Sequence, residues 1–168
     1  MCLYNLIDLD KDEKEITFHV MNYLLGSGGL TSKLYQYLRE NNGYCYQVSS
    51  LYFKYDNLLC ITSSMQRKNV DNAIKLINKA IKEMQEGKFT DDDLNDAKKN
   101  LILSLEVNLN NQNAILASYE FNVFLENYLP EKKIEKIKNL TKQDIINVAK
   151  KIKDNLVYIM CEGQSEED

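Results

Sequence analysis

Arg39 and Tyr46 stand seven positions apart, with Gly43 between them. The arginine closes a segment with helical periodicity and the tyrosine opens one with strand composition, so both belong at one end of a sheet. A guanidinium and a phenol placed together donate hydrogen bonds to a peptide carbonyl, or to the oxyanion that develops on it. The same spacing also serves a purely structural arrangement, in which Arg39 complements the negative end of its helix and Tyr46, one of eleven tyrosines, fills the core. The turn Gly26-Ser27-Gly28-Gly29 leads into a helix start, the kind of place where free backbone groups meet an anion or an extended peptide. The P-loop spacing is absent and no strand precedes these glycines, so positive φ at a helix-to-helix turn accounts for them equally well.

Other chemistries find little material. His19 is the single histidine. A protein-only zinc site takes three or four ligands, and neither H-E-x-x-H nor H-x-x-E-H occurs. His19 therefore reads as structural, and no zinc is expected in the purified chain. A Ser-His-Asp arrangement would need this same residue, without a G-x-S-x-G elbow. The four cysteines, Cys2, Cys45, Cys60 and Cys161, form no C-x-x-C pair. Three lie in apolar runs, where a free cysteine behaves as a small hydrophobe. That usage fits the cytoplasm or another reducing compartment, an organelle included.

The elements that must position these residues follow from length and pattern. A chain of 168 residues suits one domain with its own core, and its 44% hydrophobic and 27% charged residues are ordinary for a globular protein. Net charge is -4. The densest basic cluster, Lys132, Lys133, Lys136, Lys138 and Lys142, is broken by Glu131 and Glu135, so no nucleic-acid stripe is expected. No apolar run reaches the length of a membrane span. Residues 1–163 are expected to form the domain, and 164–168 an acidic, disordered and dispensable tail. The opening residues already read as a strand, which suits a piece of something longer.

Cys2–Leu9 reads as a strand. Ile16, Val20, Tyr23 and Leu24 mark one helix face. Leu30, Leu34, Tyr37 and Leu38 mark a second, closed by Gly43. Residues 44–54 and 58–65 form a hairpin around Asp56-Asn57. A long stripe from Val70 to Met84 predicts a helix stopped by Gly87. Thr90 with Asp93, and Thr141 with Asp144, predict two capped helix starts, each with a flanking apolar pair, Phe89 with Leu94 and Leu140 with Ile145. Between them lie helices over 111–128 and 131–138, and Leu156–Met160 closes the chain as an apolar strand. The order β-α-α-β-β-α-α-α-α-α-β points to a two-layer α+β domain, with helices packed on one face of a mostly antiparallel sheet. Ile77, Leu101 and Ile159 are expected in the core.

The stretch from Leu24 to Ser50 resembles the signature of the C-terminal-type domain of the pitrilysin/insulinase metallopeptidases, a family that includes mitochondrial-processing-peptidase-like proteins. Its parts are an apolar helix end, the glycine turn, Ser32-Lys33-Leu34-Tyr35, a helix ending in Leu38-Arg39-Glu40, then Gly43-Tyr44-Cys45-Tyr46 and a strand. The resemblance implies a domain that encloses and orients a peptide, while zinc sits in a separate N-terminal-type domain or subunit on an H-x-x-E-H motif. It assigns Arg39 and Tyr46 a role in supporting the substrate. This chain alone is then inactive. The departure at Tyr44-Cys45, and the existence of non-catalytic homologues in the family, keep open a partner-binding or structural module. An anion- or nucleotide-binding domain using Gly26–Gly29 is the third alternative.

Overall fold

A computed structural model describes residues 1–160. The expected acidic tail and Cys161 lie outside these residues. The chain runs β1 (Cys2–Leu6), a helix α1 built of the contiguous segments Glu13–Thr17, Phe18–Asn22 and Tyr23–Ser27, then α2 (Lys33–Tyr35 continued by Gln36–Glu40). There follow β2 (Cys45–Phe53), β3 (Leu58–Met65), α3 (Val70–Gln85), α4 (Asp91–Asn108), α5 (Gln112–Leu125), α6 (Pro130–Asn139), α7 (Lys142–Ala149) and β4 (Ile152–Val157). This is the expected order. The four strands form one antiparallel sheet in the order β2-β3-β1-β4, which leaves β2 and β4 at the edges.

Alternation of side chains along each strand builds the two faces. Cys2, Tyr4 and Leu6 of β1, Val48 of β2, and Leu59 and Ile61 of β3 are buried under the helices. On the opposite face one cross-strand row runs Leu51–Cys60–Leu3–Leu156 through the paired registers. Leu51 and Leu156 at its ends are exposed. The α+β architecture with helices on one side is therefore as the patterning implied.

Helix α1 is the centre of the molecule. The expected single face was too narrow: Ile16, Phe18, Val20, Met21, Leu24 and Leu25 are all buried, over more than half of the helix circumference, and His19 is left exposed. Its first and last turns are widened to i→i+5 hydrogen bonds, as from the Gly28 N–H to the Tyr23 carbonyl. Both capping boxes form. The Asp93 N–H donates to Thr90 Oγ1, and the Thr90 N–H to Asp93 Oδ2; Thr141 and Asp144 repeat the pattern. The first flanking pair, Phe89 and Leu94, is buried.

The last strand departs from the sequence reading. Pairing with β1 selects Ile152–Val157, with Leu6 opposite Ile152 and Cys2 opposite Val157. The apolar run overshoots the end of β1, so Ile159 is 40% exposed and Met160 83%. Ile159 is not a core residue. Leu101 is half-buried against the core, and Ile77 is buried at 4%. Truncating a buried isoleucine to alanine costs about 2–5 kcal/mol. Thermal denaturation should therefore separate Ile77→Ala, destabilised by about that amount, from Ile159→Ala, which stays near the parent. Equal losses in both would contradict the placement of β4.

Candidate functional site

The site lies where α2 hands over to β2. Helix α2 stops because Gly43 takes φ +59°, which other residues adopt only with strain. The Gly43 N–H donates to the Arg39 carbonyl at 2.8 Å and the Tyr44 N–H to the Leu38 carbonyl at 2.8 Å. Leu34 and Leu38 are fully buried and fix the helix rotation, which leaves Arg39 half-exposed. A network behind them fastens α2 to α3. The Tyr37 hydroxyl donates to Glu83 Oε2 at 2.5 Å and Lys33 Nζ lies 3.0 Å from the same oxygen. Burial, with the Glu83 carboxylate beside it, pushes the Tyr37 phenol up to about 12, so it remains a donor at neutral pH.

Strand β2 begins with an irregularity. Its register to β3 shifts between Cys45 and Val48, leaving Tyr46 and Gln47 outside the regular pairing. Such bulges re-aim side chains, and Tyr46 stands 81% exposed. The structure brings the two expected residues together. The Arg39 guanidinium carbon lies 4.8 Å from the Tyr46 ring centroid and 5.1 Å from that of Tyr35. The flat cation rests on two aromatic faces, an arrangement suited to arginine rather than lysine. Among the described residues, Arg39 pairs with no carboxylate and the Tyr46 hydroxyl has no hydrogen-bond partner. Both therefore have unused hydrogen-bond donors among the described residues.

The glycine turn divides by role. Gly26 is buried, and a Cβ there would sit 2.6 Å from Ser50 Oγ and 2.7 Å from Leu34 Cδ1. It lets the end of α1 pass close to β2, where Asn22 and Ser50 also exchange long side-chain contacts with each other's backbone carbonyls. A Cβ on Gly28 would meet Tyr23. Gly29, with φ +69°, faces open space, and Ser27 is exposed. Only the outer part of this turn is free to touch a ligand.

His19 is more than a third exposed, with its ring edge on Tyr52 at 5.1 Å. Crowding of the ring and the positive charges of Lys133 and Lys54 hold its pKa below the ordinary imidazole range. Among the described residues no group of three or more His, Cys, Asp or Glu is placed to hold a metal ion. Cys2, Cys45 and Cys60 are free and buried. No helix among the described residues is long and apolar enough to cross a membrane.

One polar centre escaped the sequence reading. Glu15 on α1 is buried at 6%. Lys54 from the end of β2 and Lys133 from α6 each place Nζ 3.4 Å from its carboxylate, and the Tyr128 N–H donates to it at 3.2 Å. Lys54 also donates to Asn127 Oδ1. A glutamate between a lysine and an isoleucine carries no local sign of burial, because its partners come from distant parts of the chain.

Comparison with known proteins bears on this geometry. A family profile described as "Peptidase M16 inactive domain" matches residues 1–101. A curated relative from Bacillus subtilis (strain 168), "Probable inactive metalloprotease YmfF", is 27% identical over 162 residues. The match covers 92% of this chain and 37% of that protein. A conserved protein from Enterococcus faecalis V583 superposes with a TM-score of 0.82 at 23% identity, covering 90% of this chain and 36% of the other. A peptidase M16 inactive domain from Pseudomonas fluorescens gives 0.77 at 23%, covering 91% and 37%. These two likenesses concern the fold alone. The chain thus spans little more than a third of the length of these three proteins.

Proposed function

Because the chain belongs to the family of peptidase M16 inactive domains, we propose that it is the non-catalytic domain of a zinc peptidase, enclosing and orienting a peptide for a separate zinc-bearing domain. The observation that carries this reading is the stacked, outward-facing pair Arg39 and Tyr46. In the proposed mechanism the peptide lies across the start of β2. A zinc ion held by the other domain would supply the activated water, while this chain's own residues hold the peptide. The guanidinium and the phenol donate to peptide oxygen as negative charge grows on it. Stacking on Tyr35 and Tyr46 holds the guanidinium plane before the substrate arrives, which lowers the entropic cost of orienting it. The exposed backbone around Ser27 and Gly29 lies in the same stretch of chain and offers further contacts to an extended peptide. The buried free thiols fit a reducing compartment.

The similarity to a relative named an inactive metalloprotease favours, as a second reading, a parent protein without hydrolysis. There the same surface holds a peptide or stabilises a partner. A direct test is fluorescence anisotropy of a labelled, unstructured peptide, titrated with the zinc-bearing domain in the presence and absence of this chain. The first reading expects tight binding only when both are present. Affinity unchanged by adding the chain would remove the peptide-holding role from both readings.

A further inference from the structure

The most anomalous surface is that of α5. Helix α5 buries none of its residues, yet its sequence is that of a core element. Leu116, Tyr119, Phe121, Val123, Phe124 and Leu125 are between 44% and 80% exposed. At 100° per residue these positions fall on all sides of the helix. A helix that is apolar all round belongs inside something. An interface of standard size takes about 800 Å² from each partner, and a buried aromatic side chain brings roughly 150–250 Å² of it. Three aromatic and three aliphatic side chains this exposed can supply much of such a patch.

We propose that α5 is the docking element of this domain, and that its occupant is the zinc-bearing domain of the same family, presenting an apolar surface with one Lys or Arg opposite Glu120. The proposal rests on the partner named under the proposed function and specifies where that partner sits. Three observations select this occupant. First, the fold makes up 36–37% of the longer chains it matches, so most of the length in those proteins is available to cover it. Second, Glu120 is the one charged residue of α5. By the helical period it stands amid Leu116, Val123 and Phe124. A second copy of this chain, pairing α5 with α5 on that side, would press two carboxylates together as water leaves, and like charges so placed oppose association. A partner cation reverses the sign. Third, α5 has fourteen residues and no Lys or Arg. A membrane span needs about 20 residues, and helices lying on lipid carry basic residues on the polar face.

The experiment is sedimentation velocity on the full chain, alone and mixed with the separately produced zinc-bearing domain, followed by calorimetric titration. Phe124→Asp and, one turn earlier on the same side of the helix, Phe121→Asp are compared with the parent. Glu120→Lys tests the charge. Since Glu120, Phe121 and Phe124 are exposed among the described residues, all three variants should keep the parent melting temperature, and circular dichroism checks that they do. We expect a one-to-one complex, weakened at least 100-fold by either aspartate and at least 10-fold by Glu120→Lys. Unchanged binding by the folded aspartate variants would overturn the assignment of α5 while leaving the proposed function standing. Absence of any complex with the parent chain would overturn both. Two other results would each replace the occupant: a dimer of the chain alone that Phe124→Asp breaks, or cosedimentation with phosphatidylglycerol vesicles that Phe124→Asp abolishes.

Discussion

Arg39→Ala and Tyr46→Phe, each made in the assembly that includes the zinc-bearing domain, should lower peptide turnover by about 10²–10³, the usual effect of removing one preorganised donor to a developing oxyanion. Melting temperatures should stay near the parent value. The structure explains why the two effects separate. Tyr46 is 81% exposed, and the phenylalanine keeps the ring against which Arg39 rests, so only the hydroxyl is lost. Arg39 is half-exposed and pairs with no carboxylate among the described residues, so its removal leaves no buried charge behind. Arg39→Lys is the informative intermediate. It keeps the charge but loses the planar stack on Tyr35 and Tyr46, and should recover only part of the rate. In a parent that lacks catalysis, the same variants should weaken peptide binding instead. If the variants melt early and retain full activity per folded molecule, Arg39 and Tyr46 serve the fold and not the peptide.

The second large effect is on stability and centres on Glu15. Its carboxylate is buried, with Lys54 and Lys133 as its two cations. Replacing both with methionine keeps the aliphatic bulk and leaves the charge with the Tyr128 N–H as its hydrogen-bond donor. Breaking a buried ion pair by removing one side costs about 3–5 kcal/mol. For a domain of this size that corresponds to a fall in Tm of roughly 6–20 °C. Adding Glu15→Gln to the double variant should restore most of the loss, since the stranded charge is then gone. The reverse order, Glu15→Gln alone, should cost less, because Lys54 and Lys133 keep 15% and 27% of their side chains open to water. A double variant as stable as the parent would show that the buried carboxylate is hydrated or neutral.

The contrast between these two predictions mirrors what the sequence could reveal. Arg39, Gly43 and Tyr46 sit within one short stretch, so chain geometry alone nearly dictates their meeting. Local signals of the same kind, the capping boxes at Thr90 and Thr141 and the strand-rich composition on either side of Asp56-Asn57, placed most elements correctly. Three features depend on distant contacts and were hidden. Strand β4 is chosen by its ladder with β1, so a run of apolar residues at Leu156–Met160 misdirected the boundary. The burial of more than half of α1's circumference follows from packing between the sheet and other helices, which no single stripe discloses. The burial of Glu15 depends on a lysine just past β2 and another on α6. Helix α5 is the opposite case, a stretch whose composition predicts burial and whose place in this domain leaves it open.

The central claim is that the chain takes part in peptide hydrolysis without a metal of its own. It is tested by metal analysis and a fluorogenic peptide assay on the purified chain, alone and with the zinc-bearing domain. The account predicts no stoichiometric zinc and no turnover for the chain alone, and turnover that appears with the zinc-bearing domain and depends on this chain. One tightly held zinc per chain, together with hydrolysis by the chain alone that a chelator abolishes, would contradict it.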